Sequence, residues 1–329
     1  MLKKILLVVG ALILLVALAV GGGLAYLVTS FPRVSPAEEL KVATSPELVA
    51  RGRYLAHNVA VCLDCHSARD WEKFSGPLVP GSLGKGGEYF GRDFGFPGDF
   101  YARNVTPAGI GDWTDGEVLR AFTAGVGRDG RPFFPVMPYP SYAAMTRADA
   151  EAIVAYLRTL APIEHAVPDS APAFPMNLVL RTLPKDAAFG PEPDATDSVA
   201  RGRYLTTIGA CADCHTPKDH GAPIPGKVLA GGFEFRMPIG TVRSANLTPD
   251  PETGIGSWTR AQFVKRFKDM DPQAGYAPPA VDAGAFNTVM PWTMYAGMTP
   301  EDLGAIYDYL RSLPPVKHPV ERFTPKAGD

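Results

Sequence analysis

The 329-residue sequence is short of the features that would bind a partner by bulk charge or build a disulfide framework. Its 32 Lys and Arg nearly balance 34 Asp and Glu, for a net charge of −2. No basic stripe or polybasic tail results, which excludes nucleic acid as a partner. There are only four cysteines and six histidines. Two disulfides would suit an extracellular setting, but a chain of this length has core enough to do without staples. Long unbroken helical patterns are scarce too. The 34 Gly and 33 Pro make up about a fifth of the chain and point to compact, loop-rich units. A length prior of roughly 150 residues per domain suggests two of them.

Charge is missing altogether from Ile5 to Val28, directly after Lys3 and Lys4. Such a run is long enough to span a bilayer as a helix. A signal peptide cut near Ala17-Leu18-Ala19 is the alternative, but the apolar run continues past that point and favours an uncleaved anchor. With Lys3 and Lys4 inside, everything after Ser30 lies on the outer face. The expectation is a single-pass protein of the inner (cytoplasmic) membrane, its remaining chain periplasmic.

What the sequence does have is a repeat. VARGRYL occurs at residues 49–55 and again at 199–205. The first copy leads to Cys62-Leu-Asp-Cys65-His66 and the second to Cys211-Ala-Asp-Cys214-His215. Asn104-Val-Thr-Pro is echoed by Asn246-Leu-Thr-Pro, and Gly109-Ile-Gly-Asp-Trp113-Thr by Gly254-Ile-Gly-Ser-Trp258-Thr. Each copy closes on a Met-Pro loop, at Met137 and Met290, followed by a helical pattern ending in Tyr-Leu-Arg.

A Cys-x-x-Cys pair serves zinc, thiol redox chemistry or c-type haem, and a histidine directly after it favours haem. The two pairs stand too far apart for one four-ligand zinc site. A thioredoxin-like pair would require a βαβ context in place of these helical patterns and Gly/Pro loops. Cys, Cys, His and a later Met repeat together, which is the ligand set of low-spin haem c. Cys62, Cys65, Cys211 and Cys214 are therefore expected to attach two haem c groups, with His66 and His215 on the irons. On a helical turn those three side chains project from nearly one face. Carbonyls of the Gly76-Pro77 and Pro223-Ile-Pro225 loops are the expected partners for the histidine Nδ1 protons.

Two methionines recur in each closing segment. Met145 and Met298 directly precede Thr146 and Thr299, which with Asp149 and Asp302 read as helix-capping pairs, so these methionines read as hydrophobic staples. Met137 and Met290 precede proline, which keeps them extended and out of a helix. They are the expected distal ligands. Met176, Met237, Met270 and Met294 lack partners in the other copy and read as filler. His57, His165 and His220 read as having no counterpart, and His318 as part of a solvated tail. Trp113, Trp258, Tyr54 and Tyr204 read as core more readily than as cofactor contacts. Asn104 and Asn246 read as turns, with a haem propionate as a possible neighbour.

The resulting fold class is mainly α: a transmembrane helix followed by two tandem cytochrome c domains with long Gly/Pro-rich loops. The expected boundaries are 1–30 for the anchor, 31–46 for a semi-rigid linker, 47–161 for domain 1, 162–196 for a linker packing across both domains, 197–316 for domain 2 and 317–329 for a tail.

Through GRYL, Cys-x-x-Cys-His, Asn-[Val/Leu]-Thr-Pro, Gly-Ile-Gly-x-Trp-Thr, the Met-Pro loop and the closing helix, the sequence resembles the c-type cytochrome subunits of membrane-bound alcohol, aldehyde and gluconate dehydrogenases. The resemblance covers nearly all of residues 47–316. Those subunits typically carry three such modules and attach at the C-terminus, whereas two motifs and an N-terminal apolar run stand here. The resemblance implies electron transfer from a dehydrogenase or quinol-oxidising complex to a downstream acceptor or oxidase, without catalysis by this chain. Two readings from other classes accompany it: a dihaem cytochrome c peroxidase-like enzyme, and an integral haem subunit of a respiratory oxidase complex. Near-identical loops around Met137 and Met290 disfavour the peroxidase, which needs one open iron.

Overall fold

The computed structural model describes residues 1–219, 221–282 and 284–326. Its elements are mainly helical. Helix α1 (Leu2–Ser30, 29 residues) has no buried residue and a mean hydropathy of 2.9 over its most apolar window. It is long and apolar enough to cross a membrane, a property it shares with signal sequences.

In the first half, α2 (Pro46–Tyr54) starts as its sequence dictates. Ser45 Oγ accepts from Leu48 N at 3.3 Å, and Pro46 takes the first position, where a missing N–H costs nothing. Beyond Tyr54 the chain widens into a π turn (Leu55–Val59), followed by the single turn α3 (Cys62–Cys65). Helix α4 (Asp115–Ala124) begins at a Thr114/Glu117 capping box, and α5 (Arg147–Leu157) begins at Thr146, whose Oγ1 accepts from Asp149 N at 3.1 Å. Helices α2 and α5 cross closely because the glycine of GRYL lets them. A Cβ on Gly52 would lie 1.8 Å from Ala152 O.

Strands β1 (Tyr89–Phe90), β2 (Gly98–Tyr101) and β3 (Ala171–Pro172) form a small antiparallel sheet, with Phe90 opposite Phe100 and Gly98 opposite Pro172. The segment 162–196, expected to pack across both halves, is built into the first. It supplies β3, carries the short helix α6 (Met176–Val179), and bonds to the first half through Asn104 Nδ2 on Ile163 O (2.8 Å) and Arg103 on Asp169 (2.5 Å). The linker 31–46 is likewise laid along the first half, with Val42 buried and Val42 N on Asp115 Oδ2 at 2.8 Å.

The second half follows the same order: α7 (Ser198–Ile208), the turn α8 (Cys211–His215), α9 (Arg260–Lys268) and α10 (Pro300–Arg311). A Cβ on Gly202 would lie 1.9 Å from Ala305 O, so α7 and α10 repeat the close crossing. Strands β4 (Glu234–Met237), β5 (Gly240–Arg243) and β6 (Phe323–Pro325) repeat the sheet, with Val242 paired to Phe235 and Phe323. Residues expected to form a free tail thus close the second sheet.

One buried cluster runs through both halves. Leu55, Leu63, Met145 and Ile153 belong to it together with Leu205, Ile208, Met298 and Leu303. Each such side chain contributes about 1.5–3 kcal/mol when fully buried. The staple methionines Met145 and Met298 are fully enclosed, as their place before the helix caps predicts.

The halves also exchange hydrogen bonds reciprocally. Tyr54 OH donates to Asp302 Oδ2 (2.6 Å) and accepts from Thr299 N (3.2 Å). Tyr204 OH donates to Asp149 Oδ2 (2.6 Å) and accepts from Thr146 N (3.2 Å). Each tyrosine therefore caps the closing helix of the other half, at a carboxylate already held by that half's own arginine, Arg51 on Asp149 and Arg201 on Asp302. Tyr54 and Tyr204 serve this interface, neither simple core nor cofactor contact.

Candidate haem-binding cavity

Both Cys-x-x-Cys-His turns begin the same unusual way. The residue before the first cysteine has a left-handed backbone without being glycine: Val61 at φ 45° and Ala210 at φ 53°. This costs on the order of 1–3 kcal/mol, and most for a β-branched residue such as valine. Two tyrosines that the sequence reading passed over pin the approach. Tyr142 OH donates to Ala60 O (2.7 Å) and Tyr295 OH to Gly209 O (3.2 Å). Each tyrosine stands five residues after the methionine of its Met-Pro loop, a repeated spacing that was there to be read.

The turns open onto one continuous cavity of about 3170 Å³. Cys62, Cys65, His66 and Met137 line it together with Cys211, Cys214, His215 and Met290. Small-molecule pockets usually hold about 300–1,000 Å³, so this space suits more than one large ligand. The four cysteines are all free thiols. Burial pushes Cys62 and Cys211 up to about 12 and Cys214 up to about 11, and burial followed by the nearby Asp64 raises Cys65 further. Among the described residues, no three His, Cys, Asp or Glu side chains are gathered as a metal cluster would require.

The histidines are held for ligation through one nitrogen. His66 Nδ1 lies 2.6 Å from Arg103 O, and His215 Nδ1 lies 2.8 Å from Ala245 O. A carbonyl only accepts, so Nδ1 carries the proton and Nε2 keeps its lone pair. Burial lowers the pKa of His66 and takes His215 down to about 4, so both rings are neutral at pH 7. These carbonyls are not those expected in the Gly76-Pro77 and Pro223–Pro225 loops. They belong to the residues just before the Asn-x-Thr-Pro motifs, which explains the motif. Asn104 Oδ1 accepts from Thr106 N (2.9 Å) and Thr106 Oγ1 (2.7 Å), and Asn246 Oδ1 accepts from Thr248 N (2.9 Å) and Thr248 Oγ1 (2.8 Å). The amide nitrogens reach Ile163 O and Val316 O, both at 2.8 Å. The asparagines are thus spent on shaping the turn that presents a carbonyl to each histidine.

Other expectations are revised by placement. Trp113 and Trp258 both line the cavity, Trp113 also packing against the core and Trp258 being exposed. His57 Nε2 faces Tyr156 OH at 2.6 Å, away from the cavity. His318 is not a solvated tail residue: its Nδ1 lies 3.0 Å from Ala230 O and it lines the cavity. It also has a counterpart. His165 and His318 each stand five residues beyond the closing leucines Leu160 and Leu313, each lines the cavity, and each abuts a positive-φ glycine, Gly87 and Gly232. His220 lies outside the described residues.

The cytochrome c family model matches residues 199–314. The chain is 30% identical to a diheme cytochrome c-type protein of Cereibacter sphaeroides, over 78% of this chain and 83% of that protein. It is 32% identical to the cytochrome c subunit of a quinone-dependent alcohol dehydrogenase of Gluconacetobacter polyoxogenes (82% of this chain, 56% of the subunit). It is also 31% identical to the gluconate 2-dehydrogenase cytochrome c subunit of Pantoea cypripedii (81% of this chain, 59% of the subunit). The chain spans little more than half the length of these dehydrogenase subunits. It belongs to the cytochrome c family.

Proposed function

We propose that this chain is a membrane-anchored dihaem cytochrome c that passes electrons from a dehydrogenase or quinol-oxidising complex to a downstream acceptor or oxidase. The observation that carries the reading is the single cavity lined by both Cys-x-x-Cys-His turns and both Met-Pro loops. In this reading each half is a cytochrome c domain. The family match over 199–314 supports the second, and the repeated elements extend it to the first.

Cys62 and Cys65 would hold one haem c by thioethers, with His66 and Met137 as its iron ligands; Cys211, Cys214, His215 and Met290 would hold the other. The residues fit the group: neutral imidazoles fixed through Nδ1, unpaired thiols, and thioethers at the bends before Pro138 and Pro291, all lining an ample cavity. Haem so bound supplies a one-electron iron couple with no vacant position for substrate. The chain's own residues hold the imidazole orientation, through Arg103 O and Ala245 O. Apolar α1 would anchor the protein in the cytoplasmic membrane, with both halves on the periplasmic side.

The relatives named as dehydrogenase cytochrome subunits support a dehydrogenase as the electron donor. A haem-stained native gel of detergent-solubilised membranes, with mass spectrometry of each haem-positive band containing this chain, tests this. A co-migrating flavin or quinoprotein subunit is the expected result. Peroxide turnover by the purified chain would contradict the carrier reading.

A further inference from the structure

We propose that the segment Phe174–Leu183 is a foot that rests in the lipid headgroup region and sets how the haem-bearing halves stand on the membrane. The proposal rests on the reading of α1 as a membrane anchor. A helix of 29 residues is about 43 Å long, against a hydrocarbon core of about 30 Å, so its C-terminal turn emerges at the interface. Tyr26 and Phe31 meet edge-to-face with centroids 6.1 Å apart, and the Arg33 guanidinium lies 4.7 Å from the Phe31 ring centre. Aromatic and basic side chains of this kind sit at headgroup level.

The last turn of α1 has no basic residue of its own to meet its unpaired carbonyls. Arg181 supplies the charge from another part of the chain. Its Nη1 donates to Val28 O and to Phe31 O, both at 3.3 Å. A cation there satisfies orphan carbonyls and the negative end of the helix dipole. A second clasp follows: Ser35 N and Ser35 Oγ both bond to Asp186, each at 2.8 Å. These contacts fix residues 181–186 beside the point where the anchor ends.

The same segment exposes large apolar side chains: Phe174 is 80% exposed, Val179 42% and Leu183 38%, with Asn177 and Thr182 exposed among them and Leu180 buried. An apolar edge beside an interfacial helix end, with Arg33 and Lys185 exposed nearby, fits a phospholipid surface, preferably anionic. Of the acidic neighbours, Glu38 is paired with Arg147 at 2.7 Å and Asp186 accepts from Ser35, while Arg33 donates to Tyr26 OH and Lys185 is exposed.

The test uses the full haem-loaded chain in phosphatidylethanolamine/phosphatidylglycerol nanodiscs doped with a phosphatidylcholine carrying a diazirine high on its acyl chain. Photolysis and peptide mass spectrometry then report which segments touch lipid. Label in both α1 and the 174–183 peptide is expected. The Phe174→Glu/Val179→Glu/Leu183→Glu variant should lose about tenfold of the foot label, keep the α1 label and retain its haem absorbance. Label on α1 alone would overturn the foot while leaving the anchor standing. Label on neither segment would overturn the anchor and the foot together.

Discussion

The two halves share a frame but differ in the field around their cysteine turns. In the first half, buried Asp64 pairs with buried Arg69 at 2.9 Å, the Arg69 guanidinium stacks 4.0 Å from the Trp71 ring centre, and Trp71 Nε1 donates to Glu88 at 3.1 Å. Burial lifts Asp64 to about 6 against the pull of Arg69. In the second half the equivalent carboxylate, Asp213, takes a 3.2 Å hydrogen bond from Ser141 of the first half, and Lys218 lies over Phe233 at 5.2 Å. The methionine loops differ as well. Each methionine carbonyl is met within its own loop, Met137 O by Tyr139 N at 2.7 Å and Met290 O by Trp292 N at 2.9 Å, but Met290 O also accepts from Ser75 Oγ of the opposite half at 2.6 Å. A duplicated scaffold has kept its backbone geometry while its electrostatics diverged, and with a haem in each half, as proposed, the two would hold different potentials.

The largest expected effect tests whether the halves are alike in attachment. Cys62→Ala with Cys65→Ala, and separately Cys211→Ala with Cys214→Ala, should each remove half of the covalently bound haem, read as pyridine haemochrome per protein. Retention of both haems after either change would refute that assignment.

Next come the unlike environments. Arg69→Gln strands a buried carboxylate and should cost about 3–5 kcal/mol in denaturant unfolding. Lys218→Gln, beside a less enclosed partner, should stay within about 0.5 kcal/mol. Equal losses would erase the contrast. The reciprocal interface gives a smaller and symmetric effect. Tyr54→Phe and Tyr204→Phe each remove a hydrogen bond to a carboxylate and should each cost about 1.5–3 kcal/mol. The costs should add in the double variant, since the two tyrosines share no partner.

The smallest effect belongs to His57, which has no equivalent at Thr207. Burial, and secondarily Arg53, takes its pKa down to about 4 from 6.5. Its folded pKa is depressed, so the neutral ring is favoured when folded and stability falls as pH drops from about 6.5 towards 4. His57→Gln should flatten that part of the melting-temperature profile, and an unchanged slope would place the titration elsewhere.

The sequence made the repeat and its helices legible, because caps such as Ser45-Pro46 and Thr146-x-x-Asp149 are local signals. The residues brought to the cavity were legible for the same reason, as short motifs written twice. What it hid was long-range. Nothing local to GRYL says that its tyrosine will cap a helix some 250 residues away, or that its glycine marks a helix crossing. The carbonyls facing His66 and His215 were missed because their side chains are unlike, Arg103 and Ala245, and only the Asn motif after them repeats. Residues 162–196 and 317–326 read as linker and tail because strands of two or three residues carry no periodicity. His165 and His318 were recoverable by counting from the closing leucines.

The measurement closest to the central claim is intact-mass analysis of the purified full chain, joined to an optical redox titration of the same sample. The account predicts a mass increment of two haems and two resolvable one-electron steps, one from each half. A single haem, or none, would contradict it.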